Sequence, residues 1–124
     1  MHQSVLLIED DPVLEGLIKA LALPCDLNIT QAINGFDGLK LASSQKFDLI
    51  FVDLMLPQVD GLDVIRLLKW HPVSQGSRLI AISRAITAIQ RNNTLAAGAD
   101  FFLQQPFCTE EIIAALNKPA PSTK

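Results

Sequence analysis

Polar residues follow four of the apolar runs of this chain: Glu9, Asp10 and Asp11; Asp53; Ser83; and Gln105. Carboxylates that lie together either raise one another's pKa or hold a cation. Two like unit charges ~4 Å apart repel by about 4 kcal/mol at an effective dielectric of roughly 20. Oxygen ligands from a few carboxylates suit Mg²⁺. A Mg²⁺ site is therefore expected if Asp10 and Asp53 meet in space with Glu9 close by.

Structural explanations compete with this interpretation. Asp11 precedes Pro12 and is explained well as a helix cap, which is the interpretation we favour for it. For Glu9, the alternative to a metal ligand is a solvated residue in a loop. Asp10 and Asp53 together are harder to explain in this way, because both follow apolar strands that end at the same edge of the expected sheet.

The elements that must position these residues alternate along the chain. Short apolar runs predict strands at 5–8, 27–33, 47–52, 79–82 and 101–103. Helical periodicity and capping residues predict helices at 12–22, 36–44, 61–70 and 87–97, and a last one from Thr109. The first of these has an expected apolar face of Leu14, Leu17, Ile18 and Leu21. Five βα units predict an α/β fold with one doubly wound parallel sheet, helices covering both faces.

Composition narrows the class of protein. The chain has 124 residues, which suits one domain, and 49% of them are hydrophobic, which fits a sheet buried on both faces. The net charge is −3 and the basic residues are scattered, so direct nucleic-acid contact is not expected. No apolar run reaches the ~18 residues of a membrane helix. The start lacks the basic region of a signal peptide, and Cys25 and Cys108 fit reduced thiols, so a cytoplasmic location is expected.

Three segments resemble the signatures of response regulator receiver domains of two-component signalling: residues 5–12 (VLLIEDDP), 51–61 (FVDLMLPQVDG) and 98–107 (GADFFLQQPF). The resemblance covers about residues 4–117. It implies the (βα)5 receiver fold, with strand order 2-1-3-4-5, and a domain over 1–118. Residues 119–124 include Pro119 and Pro121, and their composition is that of a linker to an output domain or of a frayed C-terminal tail.

The same resemblance implies a role for each site residue. Asp53 matches the phosphoacceptor, and Glu9, Asp10, Asp53 and the backbone carbonyl of Met55 match the Mg²⁺ ligands. Ser83 matches the hydroxyl that bonds a phosphoryl oxygen, and Phe102 the aromatic switch residue, with a plain core aromatic as its alternative. Pro106 matches a proline that usually follows a cis peptide bond. A histidine kinase or phosphotransfer protein is the implied phosphodonor.

Three positions depart from the family pattern: Gln105, Arg84 and Phe101. Gln105 stands where the family has lysine, and a neutral hydrogen bond of ~1 kcal/mol replaces a charge-assisted one of ~1.5–3 kcal/mol, so phosphorylation roughly tenfold slower is expected. Arg84 stands where a small residue is usual. It either reaches the site and restores the missing charge, or points to solvent or lies over the pocket mouth; sequence alone favours the second interpretation.

Three functions follow from these observations. The first is a receiver that is phosphorylated on Asp53, with at most self-phosphorylation or autodephosphorylation as enzyme activity, and that switches a protein-interaction surface. A C-terminal output domain or downstream protein and a homodimer are possible partners, although Phe101 disfavours one common dimer mode. The second is a pseudo-receiver that binds proteins without phosphorylation. An aspartyl-phosphate hydrolase is disfavoured, because that class has an acid at the position of Met55.

Overall fold

The computed structural model describes residues 3–22, 27–56, 59–84, 87–106 and 109–117. In those residues five strands alternate with five helices. The strands are β1 (Gln3–Ile8), β2 (Leu27–Ala32), β3 (Leu49–Asp53), β4 (Arg78–Ser83) and β5 (Phe101–Gln104). The helices are α1 (Pro12–Ala22), α2 (Gly35–Ser44), α3 (Gly61–Trp70), α4 (Ala88–Ala97) and α5 (Thr109–Asn117).

The strands form one parallel sheet in the order β2-β1-β3-β4-β5, which confirms the expected fold class and strand order. The order makes β1 and β3 neighbours, with Ile8 beside Val52, so the acidic residues that follow β1 lie next to the end of β3. On the other side of β3, Asp53 is in register with Ile82 of β4. The carboxyl ends of β1, β3 and β4 therefore meet at one edge.

Each face of the sheet carries its own apolar core, because successive strand residues point to opposite faces. One core takes Leu6, Ile8, Ile50 and Val52 from the strands and packs them against residues of α2 and α3. The other takes Val5, Leu7, Phe51 and Ile82 and packs them against residues of α1 and α5. Both faces are thus covered, as the nearly continuous apolar strands predicted.

Local signals define where two of the helices begin and one ends. The side chain of Asp60 accepts a hydrogen bond from the N–H of Leu62 at 2.9 Å and caps α3. Thr87 and Gln90 form a reciprocal capping box at the start of α4. The same helix ends at Gly98, whose φ of 129° lies in a region that residues with a side chain rarely adopt.

The expected elements are confirmed with small shifts of their ends. β1 begins two residues earlier than expected, where the N–H of Ser4 donates to Asp48 at 2.9 Å. The expected apolar face of α1 is only partly correct, since Leu14 and Ile18 are buried whereas Leu17 is 42% exposed. No described helix is long and apolar enough to cross a membrane. Cys25, Cys108 and the expected tail lie outside the described residues.

Candidate functional site

Three carboxylates converge at the edge of the sheet where β1 and β3 end. Glu9, Asp10 and Asp53 each offer one oxygen, and these oxygens all lie within 4.8 Å of one another. Opposite ligands of Mg²⁺ at 2.0–2.1 Å are separated by roughly 4.2 Å, so a small adjustment or a bridging water would bring all three onto one ion. The predicted meeting of Asp10 and Asp53 is confirmed, and the donor set is one that Mg²⁺ accepts.

Glu9 is fully buried, so the alternative of a solvated loop residue is wrong. One carboxylate oxygen, Oε2, accepts a hydrogen bond from the N–H of Asp11 at 2.6 Å, whereas Oε1 is buried with no hydrogen-bond partner in the described part of the chain. Burial raises the pKa of Glu9 to about 7, and the nearby charge of Asp53 contributes to the rise. A buried carboxylate oxygen without a partner fits a group that is completed by a cation.

Asp53 is the last residue of β3 and is only 8% exposed. Its Oδ1 accepts a hydrogen bond from the N–H of Met55 at 2.8 Å. Burial raises the pKa of Asp53, the hydrogen bond from Met55 opposes that effect, and the charges of Asp10 and Asp11 add to the rise. The charge of Arg84 acts in the opposite direction and lowers the pKa.

The turn after Asp53 is fixed by backbone contacts. The N–H of Leu54 donates to the carbonyl of Ile82 at 2.8 Å, which ties the turn to β4. A Cβ placed on Gly61 would lie 2.8 Å from the Cα of Leu54, so the start of α3 approaches this turn as closely as only a glycine allows. Met55 has an exposed side chain, and its carbonyl as a metal ligand stays a prediction.

Ser83 and Gln105 lie at the ends of the next two strands. Ser83 is the last residue of β4 and is buried. Its carbonyl accepts a hydrogen bond from the N–H of Gln105 at 2.6 Å, which holds the segment after β5 against the end of β4. The peptide bond between Gln105 and Pro106 is cis, as the resemblance implied. Both residues are thus placed at the same edge as the carboxylates.

Phe102 is buried in the core that faces α2 and α3, so its side chain points inward. The guanidinium carbon of Arg91, on α4, lies 5.6 Å from the centre of the ring. An arginine at this distance stabilises a ring by about 0.5–1 kcal/mol at an exposed site. The contact links α4 to the residue expected to act as the switch, and no spacing in the sequence signalled it.

Asp11 contributes to local structure, as its capping interpretation predicted. Its Oδ1 accepts a hydrogen bond from the N–H of Val13 at 2.9 Å, and its carbonyl accepts one from Glu15. Asp11 also lines a cavity of about 380 Å³, together with Val13, Leu14, Leu17, Arg84, Gln105 and Pro106. The exposed Leu17 therefore belongs to the wall of this cavity.

Sequence reasoning missed a set of charged residues away from the site. Arg78, at the start of β4, is almost completely buried, and its guanidinium donates to the carbonyl of Ala115 near the end of α5. Burial lowers the pKa of Arg78, whereas the charge of Asp100 raises it. Asp100 in turn pairs with Lys69 at 3.2 Å. These contacts join residues far apart in sequence, which no local motif could indicate.

Comparisons with known proteins agree with this architecture. The sequence profile of the family described as "Response regulator receiver domain" matches residues 5–117. Protein PilG of Pseudomonas aeruginosa is 27% identical, with 96% of this chain and 88% of that protein covered. The probable transcriptional regulatory protein SilR of Salmonella typhimurium is 34% identical over 90% of this chain, which spans only 48% of SilR.

One similar solved structure carries a metal ion in its active-site cleft. It is the receiver domain of the sensor histidine kinase PA1611 of Pseudomonas aeruginosa, described with a magnesium ion coordinated in its active-site cleft. It is 28% identical to this chain, with a TM-score of 0.83 and with 94% of this chain and 95% of that one covered.

A second solved structure contains a phosphorylated aspartic acid. This response regulator protein of Burkholderia pseudomallei also holds a calcium ion and citrate, and it is 30% identical with a TM-score of 0.82, over 95% of this chain and 68% of that one. The family match over most of the chain, the strand order and the converging acidic residues lead to one conclusion. This chain belongs to the response regulator receiver domains of two-component systems.

Proposed function

We propose that this receiver domain accepts a phosphoryl group on Asp53, in the presence of Mg²⁺, from a histidine kinase or phosphotransfer protein, and thereby switches a protein-interaction surface. One observation carries the proposal: Glu9, Asp10 and Asp53 present oxygens within 4.8 Å of one another, and one of the Glu9 oxygens is buried without a partner. A charge cluster of this kind is unfavourable unless a cation neutralises it.

Glu9, Asp10, Asp53 and the carbonyl of Met55 would hold the metal. When bound, Mg²⁺ would neutralise the carboxylates and the negative charge of the incoming phosphoryl group. The similar receiver domain that holds magnesium in its active-site cleft supports this assignment by analogy.

Asp53 is suited to the role of nucleophile by its position. The N–H of Met55 holds Oδ1, so the second carboxylate oxygen remains to attack phosphorus in line. An O–P bond forms to Asp53 while the P–N bond of the phosphohistidine breaks, and the departing imidazole takes a proton from solvent. Positioning and charge neutralisation dominate such transfers, and a buried carboxylate with fixed geometry provides the first.

The response to phosphorylation would pass through Ser83 and Phe102. The acyl phosphate adds negative charge and acceptor oxygens at the edge of the sheet. Ser83 would donate its hydroxyl to one of these oxygens. Ala81, which precedes Ser83 on the same face of β4, is in register with Phe102 of β5. A movement of Ser83 would therefore occur close to the ring of Phe102, and the contact with Arg91 connects that ring to the surface of α4.

The proposed partners follow from the family. The chain spans about half the length of SilR, a probable transcriptional regulator, and 4% of a hybrid signal transduction histidine kinase of Dictyostelium discoideum. The output would then be an appended domain, a separate protein or a second copy of the chain, in the cytoplasm. The scattered basic residues give this domain no nucleic-acid surface of its own.

The test is direct labelling of the protein. Incubation with Mg²⁺ and acetyl phosphate, followed by intact-mass measurement, is expected to add one phosphoryl group to the wild type and none to Asp53→Asn. Asp63→Asn is the matched control, because Asp63 is an exposed aspartate that pairs with Arg66 on α3. Equal labelling of the wild type and Asp53→Asn would show that another group is modified.

A second candidate function is favoured by one observation. Gln105 provides no positive charge where the family has lysine, which favours a pseudo-receiver that binds a partner without phosphorylation. This candidate predicts no labelling by acetyl phosphate and none by a histidine kinase that labels another receiver in the same assay. It also predicts that a partner binds the wild type and Asp53→Asn equally.

A further inference from the structure

Arg84 follows the buried end of β4, and the alternation of that strand sets its direction. Ile80 and Ile82 face the core beneath α1 and α5, on the same side of the sheet as Phe51 of β3. Asp53, the last residue of β3, continues the alternation of Phe51 and is in register with Ile82. Arg84 lies two residues beyond Ile82, directly after β4 ends at Ser83, so continued alternation places it on the same face as Asp53.

The cavity between α1 and the segment after β5 shows that Arg84 keeps this direction. Arg84 lines the cavity of about 380 Å³ together with Asp11 and Gln105. Leu14 and Leu17 of α1 line the same cavity, so Arg84 lies on the face of the sheet that α1 covers. Arg84 is exposed, which means that its long side chain does not have to break an existing packed arrangement to turn towards the carboxylates.

Arg84 and Asp53 lie on the same face of the sheet near its edge, so a guanidinium is available to a group held on Asp53. Phosphorylation converts the carboxylate into a group with more negative charge and three acceptor oxygens. A guanidinium at this position gains more from the phosphorylated state and the transition state than from the free carboxylate, which is the condition for accelerating the reaction.

We propose that Arg84 binds the phosphoryl oxygens on Asp53 and supplies the positive charge that Gln105 lacks, while Gln105 contributes a neutral hydrogen bond. This inference rests on the proposed phosphorylation of Asp53. Arg84 is then a catalytic residue of the phosphotransfer, since it touches the reacting group. The planar fork of a guanidinium also matches phosphoryl oxygens in a bidentate manner that an ammonium does not.

The test compares the rates at which variants are labelled by acetyl phosphate in excess Mg²⁺. Arg84→Ala is expected to be labelled about tenfold more slowly than the wild type, and Arg84→Lys at an intermediate rate. Adding Gln105→Lys to Arg84→Ala is expected to restore most of the rate. Arg66→Ala is the matched control, because it removes an exposed arginine on α3, and it is expected to react at the wild-type rate.

A second readout avoids the covalent step. Beryllofluoride mimics the phosphoryl group without a donor, so its affinity is expected to fall about tenfold in Arg84→Ala and to stay unchanged in Arg66→Ala. Unfolding midpoints equal to that of the wild type show that the loss is local.

Three results would overturn the inference. An unchanged labelling rate in Arg84→Ala would show that the guanidinium does not bind the phosphoryl group. A faster rate would show that Arg84 only covers the mouth of the cavity. Absence of labelling in the wild type would instead remove the proposed function itself, and the inference with it. The two kinds of failure can be told apart. If the wild type is labelled and Asp53→Asn is not, full labelling of Arg84→Ala refutes the role of Arg84 and leaves the proposed function standing.

Discussion

Replacing Glu9 with glutamine removes a buried negative charge and keeps the shape of the side chain. Glu9 is fully buried, and its Oε1 has no hydrogen-bond partner among the described residues. The folded protein therefore holds this carboxylate at a cost in stability whenever it is ionised and no metal is present. A glutamine can still accept the hydrogen bond from the N–H of Asp11 and can donate to a neighbouring carboxylate.

The pKa of Glu9 gives the size of that cost. It rises from 4.5 to about 7 on folding, mainly through burial. Between these values the folded state binds more protons than the unfolded state, so the free energy of unfolding falls as pH increases through this window. At about 1.4 kcal/mol per pKa unit, the loss is complete above pH 7 and amounts to roughly 3 kcal/mol.

The assay is urea unfolding of wild type and Glu9→Gln in EDTA at about pH 5 and about pH 8. Any effect of the amide that does not depend on pH appears at both values and cancels in the comparison. The advantage of Glu9→Gln over the wild type is expected to be larger by roughly 2–3 kcal/mol at the higher pH. Excess Mg²⁺ at that pH is expected to stabilise the wild type more than the variant, which reduces the difference.

Glu110→Gln is the control, because Glu110 is an exposed carboxylate in the first turn of α5. Its stability relative to the wild type is expected to be nearly independent of pH over the same range. The reasoning is refuted if the difference between wild type and Glu9→Gln is the same at both pH values. It is also refuted if Mg²⁺ stabilises both proteins equally, since Glu9 would then not contribute to the metal site.

Three further substitutions test how the frame supports the site. Gly61→Ala places a Cβ 2.8 Å from the Cα of Leu54, so urea unfolding is expected to show a loss of about 1–3 kcal/mol and acetyl phosphate labelling of Asp53 to slow. Arg78→Met leaves the carbonyl of Ala115 without its buried donor, with an expected loss of about 1–3 kcal/mol in the same measurement. Thr87→Ala removes the capping box of α4 and is expected to cost about 1 kcal/mol with labelling unchanged.

Strand and helix positions could be predicted because the signals are local. The parallel strands are buried on both faces, so they read as nearly continuous apolar runs whose ends carry the polar residues. The exact ends of the strands could not be predicted as well from the sequence. β1 starts at Gln3 because Ser4 finds a hydrogen-bond partner in Asp48, more than forty residues later. A contact at that separation leaves no mark in the sequence around Ser4.

The candidate site was predictable in its members and not in its environment. Asp10 and Asp53 follow the ends of apolar strands, and once β1 and β3 are neighbours they must approach one another. The burial of Glu9 is a different matter, since a glutamate after a strand is equally consistent with a solvated loop. The exposure of Leu17 could not be predicted either, because helical periodicity does not show that this residue faces a cavity and not the core.

The two faces of the sheet divide the proposed input from the proposed response. Asp53 continues the face of β3 that packs on α1 and α5, where the cavity opens and a phosphodonor would approach. Phe102 lies in the core of the opposite face, where Arg91 connects its ring to α4. Ser83, buried at the end of β4 between them, shares the face of Phe102 and the edge of Asp53. The packed sheet does not deform enough to couple its two faces. A change in the position of the Ser83 hydroxyl at the edge of the sheet would therefore couple a new charge at Asp53 to the surface of α4.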